Sequence, residues 1–149
     1  MLIGDSNEIG IALQPILLAM PAAVKPHLPS SGRSLFVSTT HRGGVITIRP
    51  SGPNLTERES IIITSEVTPY LEQLGKRLRG VVLDLSDVKM MSSFGLGLCL
   101  EFRNTAMAVG ASTILVGMSR ELRELFKMMK VDRLYTIADA KNVQSAIAA

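Results

Sequence analysis

The two adjacent hydroxyls of Ser92 and Ser93 are the groups of this chain best placed to do chemistry. They lie in Ser86-Asp87-Val88-Lys89-Met90-Met91-Ser92-Ser93-Phe94-Gly95-Leu96-Gly97, after the apolar run Val81-Val82-Leu83-Asp84-Leu85 and where a stretch of helical period begins. A serine nucleophile needs a neighbouring base and an acid to orient that base. The only histidines are His27 and His41, one in a Pro- and Ser-rich stretch and one in a Gly-rich turn. No Ser-His-acid set can be argued, so the chain is not expected to be an enzyme. A phosphate acceptor asks for less. At a helix start several backbone N-H groups lack partners and the dipole is partly positive, so an attached phosphate meets ready donors. It would also bring about −1.5 to −2 charges to an otherwise neutral patch of Met90, Met91, Phe94 and Leu96, and so block binding there. A serine at this position also serves as an ordinary N-cap, and physics alone leaves cap and switch side by side.

Other candidates carry less. Asp84 ends the preceding strand, where a single carboxylate orders the next loop more readily than it holds a metal. Gly95-Leu96-Gly97 lacks the third glycine of a dinucleotide fingerprint, and Gly75-Lys76 lacks the rest of a P-loop. Cys99 is the sole cysteine, which excludes an internal disulfide and a four-thiolate metal cage. No metal and no cofactor is expected. Arg120, Arg123, Lys127, Lys130 and Arg133 alternate with Glu121 and Glu124 and fit a solvated helix face. Met118, Met128 and Met129 suit either an adaptable surface or core filling.

The elements that must position the serines follow from periodicity. Segments 35–40 and 44–49 are β-rich around His41-Arg42-Gly43-Gly44 and predict an opening hairpin. Val67, Leu71, Leu74 and Leu78 share one helical face, giving a first helix that ends at Gly80. Pro69 leaves two options: Thr68 caps a helix that starts with Pro69, or an earlier helix over 61–65 is kinked there. Segment 81–85 reads as a central strand buried on both faces. A helix over 94–109 closed by Gly110, a strand over 113–116, and a third helix capped by Ser119 with Leu122, Leu125, Phe126 and Met129 inward come next. A strand over 134–137 and a terminal helix capped by Asp139, burying Val143 and Ile147, complete the order. The expected fold is α/β: a mixed, mostly parallel central sheet with one antiparallel edge strand and helices packed on it.

A 149-residue chain with 46% hydrophobic and 19% charged residues is sized for one domain with an aliphatic core. The net charge of +3, without a basic run, makes nucleic acid an unexpected partner. Segment 25–34, Lys-Pro-His-Leu-Pro-Ser-Ser-Gly-Arg-Ser, reads as a linker, so residues 1–34 form an extension and 35–149 the folded domain. The apolar stretch 9–24 lacks a preceding Lys or Arg, contains Pro15 and Pro21, and is shorter than the ~20 residues of a membrane span. Leu13, Ile16, Leu17 and Met20 give it helical spacing, and Met20 could be the true start. A cytoplasmic protein with no membrane partner is expected.

Val-Val-Leu-Asp-Leu-Ser-Asp-Val-Lys-Met-Met-Ser-Ser-Phe-Gly-Leu-Gly at 81–97, then a helix ending at Gly110 and Thr-Ile-Leu-Val-Gly at 113–117, resembles the STAS domain of bacterial anti-sigma-factor antagonists. The likeness runs over about residues 36–147. In the family motif Asp-Ser-Ser-Gly-Leu-Gly the first Ser is phosphorylated, and counting back from Gly95 places Ser93 there. Ser92 then stands at the motif's Asp, as a second candidate phosphosite, and Phe94 at its second Ser. The resemblance implies a regulator of transcription that works by partner switching. The unmodified protein would dock on an anti-sigma factor, a serine kinase of the ATPase-kinase type, through Met91, Phe94 and Leu96, and phosphorylation would release it. A non-phosphorylated scaffold that forms homodimers or joins a larger signalling assembly is the alternative, as is an anion- or nucleotide-sensing module.

Overall fold

A computed structural model of the chain describes residues 31–139 with Asn142 and Val143. Among these, six strands form one sheet in the order β1-β2-β3-β5-β7-β8. They are β1 (Ser31–Arg33), β2 (Val37–Arg42), β3 (Val45–Pro50), β5 (Gly80–Asp84), β7 (Ser112–Val116) and β8 (Thr136–Ile137). The pairs β1/β2 and β2/β3 are antiparallel, while β3/β5, β5/β7 and β7/β8 are parallel. The sheet is therefore mostly parallel with an antiparallel edge, as expected. That edge holds one strand more than periodicity gave, because β1 falls inside the stretch read as a linker.

The hairpin turns on Gly43 and Gly44 alone, with φ of 59° and 83°, values that a two-residue turn of this hand requires and glycine tolerates. His41 consequently lies within β2, opposite Ile46, and not in the turn. In β5 successive side chains serve opposite faces. Val81 and Leu83 enter the main core under the helices, and Val82 joins Ile114 and Val116 on the other face, with Ala138 and Val143 packed against them. A run that is apolar on both faces over Val81, Val82 and Leu83 is the consequence.

Three α-helices are described: α1 (Glu57–Leu74), α2 (Ser93–Ala108) and α3 (Arg120–Met128). The Thr56 hydroxyl and, at 2.9 Å, the Thr56 N-H both donate to Glu59 in a capping arrangement, and these hydrogen bonds, the hydroxyl's first, hold the Glu59 carboxyl below its ordinary range. Of the two options for Pro69, the structure has the earlier helix: α1 starts twelve residues before the proline, includes 61–65 and runs on through Pro69, so Thr68 caps nothing. Pro69 is exposed, so its ring points to solvent while Ile63, Val67, Leu71 and Leu74 stay buried. Leu78 reaches the core from beyond the helix, through a 3-10 turn at Gly75–Arg77, and Gly80 already belongs to β5. On α3, Leu122 and Phe126 are buried, but Met129 is 51% exposed and not part of the inward stripe. The last strand is shorter than expected, since Asp132–Leu134 forms a 3-10 turn. The expectations for residues 1–30, His27 included, and for Ile147 lie outside the described residues.

Candidate functional site

The chain leaves β5 at its carboxyl end and reaches α2 through a loop fixed at several points. Asp84 accepts hydrogen bonds from the Ser86 N-H at 3.0 Å and from the Ser86 hydroxyl. Arg49, near the end of β3, donates to both oxygens of Asp87, at 2.9 and 3.1 Å, and its Nη1 lies 3.9 Å from Asp84. The guanidinium holds the Asp87 carboxyl below its ordinary value, chiefly through this hydrogen bond. Because the pair is half exposed, its contribution is to geometry more than to stability.

Beyond the loop, β6 (Met90–Met91) pairs in parallel with β4 (Asn54–Leu55), and the Ser92 N-H donates to Leu55 O at 3.1 Å. This small ladder delivers the chain to α2. Ser92 is the N-cap: its backbone is extended and its Oγ accepts from the Phe94 N-H at 3.2 Å. Ser93 is the first helical residue and is exposed. Gly95 permits the close seat of the helix on the ladder, since a Cβ there would meet Leu55 O and Met91 Cγ, each at 2.5 Å.

The two serines therefore differ physically. The Ser92 hydroxyl is engaged in holding the helix end, whereas the Ser93 hydroxyl stands at the surface beside the unpaired donors of the first turn. Met91 and Leu96, expected on the docking face, are core residues instead, 8% and 7% exposed. The reason is register. Met91 packs under Gly95, and Leu96 falls on the inner side of α2. Phe94, 50% exposed, supplies apolar surface beside Ser93, while Met90, 64% exposed, faces outward from β6.

That surface continues into a groove of about 490 Å³ between α1 and α2. Ser93, Phe94 and Leu98 line one wall and Ser60, Ile61 and Thr64 the other, with Gly97 and Glu101 further along α2. Ile61 is 60% exposed, a large apolar side chain on a surface where α1 is otherwise polar. Sequence reasoning missed Ile61, Gly97 and Glu101. The spacing of Ser93, Gly97 and Glu101 at i, i+4 and i+8 was available as a signal, but only the placement of α1 turns that face into a groove wall.

Cys99 is fully buried, and burial pushes its thiol up to about 12. Among the described residues no three His, Cys, Asp or Glu side chains gather into a group that could hold a metal ion, and no helix is long and apolar enough to cross a membrane. Arg120 on α3 pairs with Glu124 at 3.3 Å, both strongly exposed.

Comparison with known proteins places this architecture. No curated protein matches the chain. Among solved structures it is similar to a Thermotoga maritima protein of the anti-sigma factor antagonist class, with TM-score 0.67 and 18% identity, covering 74% of this chain and 93% of that one. It is similar also to the Bacillus cell fate determinant SpoIIAA in its phosphorylated form, with TM-score 0.59 and 19% identity over 74% and 98% of the two chains. An anti-sigma-factor antagonist (STAS) domain protein from Planctomyces limnophilus superposes with TM-score 0.65 and 21% identity over 76% and 98%. At these identities the likeness is one of fold. The family model for the STAS domain matches residues 36–146, and the chain belongs to that family.

Proposed function

We propose that this protein is an anti-sigma-factor antagonist whose docking on a kinase-type anti-sigma factor is turned off by phosphorylation of Ser93. The observation that carries the reading is the exposed residue Ser93 at the first position of α2, on the same groove wall as the exposed side chain of Phe94. In the transfer, Ser93 Oγ attacks the γ-phosphorus of ATP and the bond to the β-phosphate oxygen breaks. ADP leaves, and the serine proton passes to a base of the kinase. The chain itself supplies the acceptor and its setting. The α2 dipole and first-turn N-H groups accommodate the phosphate, while the added charge opposes burial of Phe94 in an interface. Among the structural neighbours, SpoIIAA has been solved in unphosphorylated and phosphorylated forms, which supports the same chemistry here. Ser92 is the second candidate, since its hydroxyl is half-buried and already engaged. The kinase partner also makes the cytoplasm the working compartment.

The test is incubation with ATP and the ATPase-kinase anti-sigma factor of the same organism, with phosphate located by mass spectrometry. Phosphate on Ser93 is expected, and Ser93→Glu should weaken the complex at least tenfold. Phosphate on neither serine, with binding indifferent to Ser93→Glu, would point to a constitutive scaffold.

A further inference from the structure

We infer that the groove between α1 and α2 is the seat of the partner, taking a segment that carries an apolar side chain and a Lys or Arg one to two helical turns away. This rests on the partner-switching reading and extends it from the switch residue to what the partner must bring.

Three observations carry the inference. The groove is continuous with the switch, because Ser93 and Phe94 form its wall. Its charge is one-sided. Glu101 is the one charged residue of the lining, and no cation forms an ion pair with it among the described residues. Its floor is open, since a Cβ built on Gly97 meets nothing within 4 Å. Glycine is disfavoured in mid-helix, and here no close approach within the chain accounts for it. Bare backbone at that point lets a second polypeptide lie close to α2.

Along α2 the distance from Ser93 to Glu101 is about 12 Å, eight residues at the helical rise. An occupant would therefore set its apolar side chain against Ile61, Phe94 and Leu98, and its cation against Glu101. A phosphate on Ser93 stands at the apolar end, about 12 Å along α2 from the occupant's cation and with no cation in the groove lining, so it must be desolvated without a counter-charge. Ile61, Gly97 and Glu101 then determine which partner fits, and Ser93 determines when.

The test uses the full chain and the same purified anti-sigma factor, with affinity measured by calorimetry. Gly97→Leu fills the open floor and should fold normally, which circular dichroism checks. Ile61→Asp places charge among the apolar contacts. Each is expected to weaken binding at least tenfold. Glu101→Gln is expected to weaken it severalfold and to flatten its salt dependence, and Met128→Asp on exposed α3 to leave it unchanged. Wild-type affinity in both folded Gly97→Leu and Ile61→Asp, with Ser93→Glu still weakened, would overturn the groove and leave the switch standing. Loss of binding in the groove variants with Ser93→Glu unaffected would support the groove and sink the switch. A wild-type chain that does not bind overturns both.

Discussion

Adjacent serines with different tasks should part under mutation, and the structure gives the size of the difference. Ser92 Oγ accepts the Phe94 N-H as the N-cap of α2, so Ser92→Ala leaves that donor without its partner and should cost ~1 kcal/mol. For a chain of this length that is about 3 °C in Tm. Ser92→Gly should recover most of it, because glycine caps almost as well as serine. Ser93 makes no cap hydrogen bond, so Ser93→Ala should stay within about 0.5 kcal/mol of wild type. Ser93→Asp should be more stable than wild type by about 0.3–1 kcal/mol at low salt, because a carboxylate at the helix start meets the dipole, and the gain should fade as salt is added. Urea unfolding and thermal melts of the four variants at low and high salt measure all of this. The Asp variant matters most, since a loss of docking in a protein that is no less stable cannot be ascribed to unfolding. A Ser93→Ala variant as unstable as Ser92→Ala would refute the division of labour, and so would a destabilised Ser93→Asp.

Three further outcomes follow from the same geometry. Gly95→Ala forces a Cβ against Leu55 O and Met91 Cγ, each 2.5 Å away, and should cost about 1–3 kcal/mol in urea unfolding by lifting α2 from the β4-β6 ladder. Cys99, buried and with its thiol pushed up to about 12, should ignore a thiol reagent near neutral pH in the native protein and react fully in denaturant. Arg49 lowers the Asp87 carboxyl, so the pair adds stability that is present above the unfolded aspartate value and is lost as pH falls through the lower folded one. Arg49→Met should flatten the acid limb of Tm against pH and leave the alkaline side alone; an unchanged acid limb would show that the pair does not couple to folding.

Local order along the chain was strong enough to read the architecture. Alternation of helix-period segments with short β-branched runs foretold the parallel sheet, and the segment 81–85, apolar at all positions but Asp84, announced itself as central because only a sheet flanked on both faces makes that pattern stable. The position of the serines at a strand-to-helix junction was equally legible, since capping chemistry is local. What periodicity could not give depended on partners distant in sequence. β1 exists because β2 offers it a free edge. Leu78 left its helix because Gly75 broke the stripe, and Pro69 stayed inside α1 because its ring faces water. The division of Met90 and Phe94 outward from Met91 and Leu96 inward was set by the β4-β6 pairing, which fixes the rotation of α2 at its first turn. Likewise, the types of Ile61, Gly97 and Glu101 are plain in the sequence, but their convergence is not. Side chains on two helices thirty or more residues apart become one surface only when packing has chosen the angle between them.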